Sequence, residues 1–133
     1  MKPAPFRYVR AKTLAHAVAM LAEHAGTAKI LAGGQSLMPM LNSRLLEPDV
    51  LVDINGLAEL AGVGEAPDHV RIGALTRHRH IETSAVIARH FPVLTEAIGH
   101  VAHMTIRNRG TFAGSLAHAD PAAELPLMAA LLD

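Results

Sequence analysis

Two short stretches carry residue types and spacings from which chemistry can be argued. The first is Ala32-Gly33-Gly34-Gln35-Ser36-Leu37. The second is Ile106-Arg107-Asn108-Arg109-Gly110-Thr111-Phe112-Ala113-Gly114-Ser115, followed by Ala119-Asp120-Pro121. Glycine, alanine and serine let a polyanion approach the main chain, and successive N–H groups in a tight turn or at a helix start then bind phosphate. Asp120-Pro121 reads as a helix cap followed by proline at the first helical position. Taken singly, each stretch is equally a tight turn between ordinary elements. Together they predict a ligand with two phosphates or two halves.

Other chemistries find less support. Nine histidines raise the question of a metal, but His78-x-His80 and His100-x-x-His103 each lack the third ligand that a catalytic zinc site requires. No metal ligand is assigned. Ser36 and Ser115 are outside any G-x-S-x-G pattern, which argues against a hydrolase, and no catalytic residue is assigned. Arg77-His78-Arg79-His80 reads as a solvated helix face. Arg107 and Arg109 fit either an anion site or salt-bridged surface positions. His118, Asp120 and Glu124 read as caps or sugar-hydroxyl partners before acid–base catalysts.

The elements that position these stretches follow from periodicity and punctuation. A proline-rich start and the extended Phe6-Arg7-Tyr8-Val9 suit an edge segment. Thr13 caps a helix over residues 13–25 with Ala17, Val18, Leu21 and Ala25 on one stripe and Gly26 as its stop. Residues 28–32 read as a strand into the first glycine pair, residues 35–42 as one or two helical turns limited by Pro39, and residues 50–54 as a second buried strand. The outcome is a parallel pair with a phosphate-sized loop at the strand's carboxyl end, without the G-x-G-x-x-G spacing of the Rossmann fingerprint. Asn55-Gly56 marks a boundary. Beyond it come a hairpin around Ala66-Pro67-Asp68, helices over residues 76–88 and 92–103 with Thr76 or Thr83-Ser84 as caps, and a last helix behind Asp120. The expected lobes are residues 1–56 and 57–133. Leu125, Met128, Leu131 and Leu132 share a face with nothing after them to cover it, which predicts a fragment of a longer chain that is marginally stable alone.

Composition narrows the function classes. A chain of 133 residues, 50% hydrophobic but only 3% aromatic, builds an aliphatic, helix-rich core. Zero formal net charge, one Tyr and no Trp leave neither the basic field nor the stacking faces of a nucleic-acid binder. The absence of Cys excludes disulfides, a thiol nucleophile and iron–sulfur ligation by this chain. No apolar run approaches the roughly 20 residues of a membrane span, and no signal-type segment opens the chain, so a soluble, cytoplasmic protein is expected.

The two loops, in this order and separation, resemble the FAD-binding medium subunit of molybdenum hydroxylases. The type is that of the carbon monoxide dehydrogenase medium chain and the flavin domain of xanthine dehydrogenase. The likeness extends to Phe6-Arg7-Tyr8, Leu51-Val52-Asp53-Ile54 and Ile72-Gly73-Ala74-Leu75-Thr76. It implies an α+β fold of the vanillyl-alcohol-oxidase type, with FAD between two small lobes and the second lobe incomplete here. It also implies cofactor contacts from Ala32, Gly33, Gly34, Gln35 and Ser36 on the first loop, from Thr111, Phe112, Ala113, Gly114 and Ser115 on the second, and from Asp120 to a sugar hydroxyl. In such enzymes an iron–sulfur small subunit and a molybdopterin large subunit feed electrons to the flavin, which passes them to an external acceptor. The chain is then an oxidoreductase subunit. The alternative is a non-catalytic nucleotide-binding or interaction module without redox partners. One departure is Ala113-Gly114, where the family commonly has Gly-Gly. A left-handed conformation at 113 would cost alanine about 1–2 kcal/mol, whereas a negative φ would make it harmless.

Overall fold

The computed structural model describes residues 2–132. The fold is α+β, and the chain divides into two compact units, Met1–Ala58 and Glu59–Asp133.

In the first unit, β1 (Arg7–Arg10), α1 (Leu14–Glu23), β2 (Ala28–Leu31), α2 (Leu37–Asn42) and β3 (Val50–Asp53) follow one another. The three strands form an all-parallel sheet in the order β1-β3-β2. Val50 aligns with both Arg7 and Ala28, and Asp53 with both Arg10 and Leu31. All four residues of β3 are buried, as a central parallel strand requires, which is why Val50-Leu51-Val52 is a continuous apolar run rather than an alternating one. The edge strands are more exposed, and Pro3 and Pro5 precede β1, where a missing N–H costs no ladder bond. Thr13 caps α1 through its Oγ1, which accepts from the His16 N–H at 3.1 Å. Of the expected stripe only Ala17 is fully buried, and Val18 is exposed. Pro39 falls in the first turn of α2, where an N–H has no intrahelical acceptor.

In the second unit, after a 3₁₀ turn (Ala58–Leu60), β4 (Val63–Glu65) and β5 (Val70–Ile72) form the expected antiparallel hairpin. The Ala66 N–H closes it on the His69 carbonyl at 2.9 Å. Among the described residues six helices follow: α3 (His78–Glu82), α4 (Ala85–His90), α5 (Pro92–His100), α6 (Met104–Arg107), α7 (Phe112–His118) and α8 (Glu124–Leu131). Ile81, Ile87, Leu94, Ile98, Leu125 and Met128 form their core.

Four expectations are corrected here. Residues 76–88 are two helices, because Ser84 caps α4 and breaks the run. Thr76 caps nothing. Its buried hydroxyl bonds both the N–H (3.0 Å) and the carbonyl (2.9 Å) of Gly62. Asp120-Pro121 does not begin the last helix, since Asp120 Oδ1 accepts from the Ala122 N–H at 2.9 Å in a local turn and α8 starts at Glu124. The last apolar face is divided, with Leu125 and Met128 inside the core and Leu131 and Leu132 at 62% and 37% exposure.

Candidate functional site

The first loop leaves β2 at the carboxyl end of the sheet. Its shape requires glycine at one position: Gly34 has φ +72°, and a Cβ there would lie 3.2 Å from Leu31 Cδ1 and 3.3 Å from Met38 Cγ. Gln35 folds back, its Nε2 donating to the Gly33 carbonyl at 2.8 Å. Met38 is the first residue to close back on the loop, donating to the Gly34 carbonyl at 2.9 Å. The N–H groups of residues 33–37 have no acceptor among the described residues. Ala32, Gly33, Gly34 and Gln35 are half-buried, and Ser36 is exposed. Consecutive donors left over in a glycine-bearing turn are the arrangement that binds an anion.

A polar network stands behind this loop. Asn55 Nδ2 donates to the Ala32 carbonyl at 2.8 Å, the Leu31 carbonyl at 3.3 Å and Asp53 Oδ1 at 2.7 Å, while its backbone N–H donates to the same Oδ1 at 2.8 Å. The Tyr8 hydroxyl donates to Asp53 Oδ2. Burial works against the Asp53 charge, but the bonds from Tyr8 and Asn55 and the nearby Arg10 outweigh it and hold the carboxyl below its usual range. The carboxylate in turn pushes the Tyr8 hydroxyl up. From sequence alone Asp53 is only part of a buried strand and Asn55 only part of a boundary. The available signal was an Asp and an Asn two residues apart at the end of an otherwise apolar strand, next to the glycine loop.

The second stretch is a short loop at residues 108–111 that runs into a helix. Residues 112–115 open α7, with Thr111 as the preceding residue. This turn is zipped onto residues 74–78. The Phe112 N–H donates to the Thr76 carbonyl at 2.9 Å and the Ala113 N–H to the Ala74 carbonyl at 3.1 Å. The His78 N–H donates to the Gly110 carbonyl at 3.0 Å, Arg77 pairs with Thr111 as an isolated antiparallel bridge, and the Arg77 guanidinium donates to the Arg109 carbonyl. The Ser115 N–H closes on the Thr111 carbonyl at 3.1 Å. In this turn the Gly114 N–H remains without an acceptor among the described residues. Ser115 is half-buried, and Phe112 packs against the core. Ala113 has a helical, negative φ, so its methyl group is harmless. Asp120 is exposed just beyond α7.

One further expectation is revised, and for Arg107 the salt-bridged alternative is the one found. The Arg-His-Arg-His run is only partly a solvated face, since Arg79 and His80 are exposed but His78 is buried, its Nε2 3.0 Å from the Thr111 carbonyl. Arg107 is a structural staple. It bonds Glu82 at 3.1 Å and the Val101 and Ala102 carbonyls at 3.0 and 2.8 Å. Glu82, bonded also by Arg79, is held below the usual carboxylate range. Among the described residues no three His, Asp or Glu side chains group as metal ligands.

Residues 4–133 match the family described as the FAD binding domain in molybdopterin dehydrogenase. The chain is 51% identical over 133 residues to the 6-hydroxypseudooxynicotine dehydrogenase complex subunit alpha of Paenarthrobacter nicotinovorans, covering all of this chain and 45% of that one. It is 39% identical over 128 residues to the carbon monoxide dehydrogenase medium chain of Hydrogenophaga pseudoflava, covering 96% of this chain and 45% of that one. A solved structure of the Hydrogenophaga pseudoflava enzyme superposes with a TM-score of 0.92 at 40% identity, over 95% of this chain and 44% of that one. Quinoline 2-oxidoreductase from Pseudomonas putida 86 gives a TM-score of 0.90, also at 40% identity, over 95% and 44%. The chain thus spans about half the length of the curated relatives it matches, several of which are named as subunits or medium chains of larger enzymes. A parallel sheet ending in a loop of unclaimed N–H groups, a second glycine-bearing helical turn and this match over residues 4–133 lead to one conclusion: the chain belongs to the FAD-binding domain family of molybdopterin dehydrogenases.

Proposed function

We propose that this chain supplies the two pyrophosphate-type loops of an FAD site in a molybdenum hydroxylase. The observation that carries the reading is the run of N–H groups at residues 33–37 with no internal acceptor. Such donors fit a diphosphate, and the positive φ of Gly34 aims them without a side chain in the way. Ala32, Gly33, Gly34, Gln35 and Ser36, in an N-terminal lobe of residues 1–56, bind and orient the phosphates. In a lobe of residues 57–133, Gly114 contributes its N–H and Ser115 its hydroxyl. Thr111, Phe112 and Ala113 shape that turn, and Asp120 offers a carboxylate oxygen to a sugar hydroxyl. When bound, FAD supplies a redox centre between internal electron donors and an external acceptor. The subunit's partners are an iron–sulfur small subunit and a molybdopterin large subunit. The setting proposed for the complex is the cytoplasm.

The test compares FAD with FMN by fluorescence quenching and by retention on a sizing column. The expected result is FAD bound at least about tenfold more tightly, because FMN lacks the second phosphate and the adenosine half. Equal affinity for FMN, or no binding of FAD, overturns the proposal. Co-purification with cysteine-rich and molybdopterin-type chains from neighbouring reading frames tests the partners.

A further inference from the structure

His78 has no role in the reading above, yet it is 5% exposed and touches the second site turn directly. We propose that His78 is a positioning residue: its neutral ring, protonated on Nε2, holds the Thr111 carbonyl and thereby fixes the turn from which Gly114 and Ser115 are presented. The inference rests on the FAD reading of that turn.

Three observations carry it. The Thr111 carbonyl, 3.0 Å from Nε2, can only accept, so Nε2 bears the proton. Nδ1 is then an unprotonated acceptor, and it is buried with no hydrogen-bond partner. A proton added there would create a cation with nothing to receive its second N–H. Gly110 makes room for the ring, since a Cβ at that position would come within 2.8 Å of both Nδ1 and Cε1. The ring is therefore clamped between its own backbone bond to the Gly110 carbonyl and its side-chain bond to the next carbonyl in the chain.

The charges around the ring give the sense of the pH response. Burial disfavours the imidazolium most. The Thr111 carbonyl favours it, Arg107 on α6 and Arg77 ahead of α3 oppose it, and Glu124 on α8 favours it. The net result holds His78 below the ordinary histidine value of 6.5. Below that value the unfolded chain takes up a proton that the folded turn resists, so the turn loses stability as pH falls toward the folded value.

Nitrogen-15 NMR of the whole chain reads the tautomer, and flavin quenching reads the consequence in wild type, His78→Gln and His78→Phe at pH of about 7 and about 5.5. At the higher pH, Nδ1 is expected to be unprotonated and Nε2 protonated. His78→Gln keeps an N–H for the Thr111 carbonyl, so its FAD affinity stays within about threefold of wild type and loses the weakening at the lower pH. His78→Phe keeps the far-UV spectrum and weakens FAD binding by about tenfold or more. An Nδ1-protonated or cationic ring at pH of about 7, or wild-type affinity in His78→Phe, overturns the proposal. If His78→Phe does not fold, the tautomer and the pH response of His78→Gln decide. If wild type binds no FAD, the functional reading fails by itself, and the tautomer with the backbone shifts of Thr111 in His78→Gln still decides whether His78 holds the turn.

Discussion

The two glycine-bearing stretches look alike as sequence and differ as structure. At residues 33–37 the chain leaves a parallel sheet, and among the described residues no neighbouring strand or side chain takes its N–H groups. At residues 112–113 the corresponding groups are claimed by the Thr76 and Ala74 carbonyls, and the turn is helical. The glycines differ accordingly. Gly34 is needed for a positive φ, whereas Gly110 is needed because the His78 ring lies against it. A small-residue run is an anion cradle only in so far as the fold leaves its donors unclaimed. By that criterion the first stretch keeps the longer run of donors, at residues 33–37, and the second keeps the N–H groups of Thr111 and Gly114 among the described residues.

The largest expected effect tests this ranking. Gly34→Val forces a β-branched residue into the left-handed region, so it should lose about 2 kcal/mol of stability and at least about tenfold in FAD affinity. Gly114→Val, in a helical turn with ordinary φ, should disturb flavin binding less. Quenching titrations of both variants check the order, and equal losses would show that the two stretches contribute alike. Next in size, Asn55→Leu removes the side-chain donor of the Ala32 carbonyl and one of the three donors to the Asp53 carboxylate, and should cost about 2 kcal/mol in chemical denaturation, with weaker FAD binding.

Acid should separate the regions more finely. Asp53 is held below its ordinary value of 3.8, so its network is intact above that value and is lost only as pH falls below it toward the folded value. The His78 turn responds earlier, below 6.5. Melting temperatures from pH of about 7 down to about 3 should therefore fall in two stages, with His78→Gln removing the earlier one and Asp53→Asn reducing the later one, to which the Arg107-bound Glu82 also contributes. Smaller still, Ala119→Gly should stabilise by up to about 1 kcal/mol, since Ala119 ends α7 with φ +53°. Ala113→Gly should cost about 0.5–1 kcal/mol without tightening FAD, because a helical residue there gains nothing from glycine. Thermal melts resolve both signs.

What could be read in advance depended on whether the signal was local. The Thr13 cap, the buried run at β3, the hairpin and Pro92 at the start of α5 all follow from residues close in sequence, and each stands where expected. The cofactor family was legible from the two loops as a pair. The state of the second loop was not, because its N–H groups are taken by residues more than a whole helix away. Thr76 is no cap for a related reason, since the fold brings Gly62 to its hydroxyl, whereas Asp120 caps a local turn at Ala122 in place of the helix start. His78 escaped notice because its neighbours Arg79 and His80 are exposed, and burial of one residue in such a run has no signature in spacing.

The strand order of the first unit also sets a schedule for biosynthesis. β1 and β2 both pair with β3 and not with each other. The last strand to leave the ribosome is therefore the one that must enter the middle, and until Val50–Asp53 emerges the two earlier strands have no ladder to join. Nascent chains halted before that strand should show no protease-resistant sheet, and those extended past it should gain one in a single step, so the unit behaves as an all-or-none event in vectorial folding.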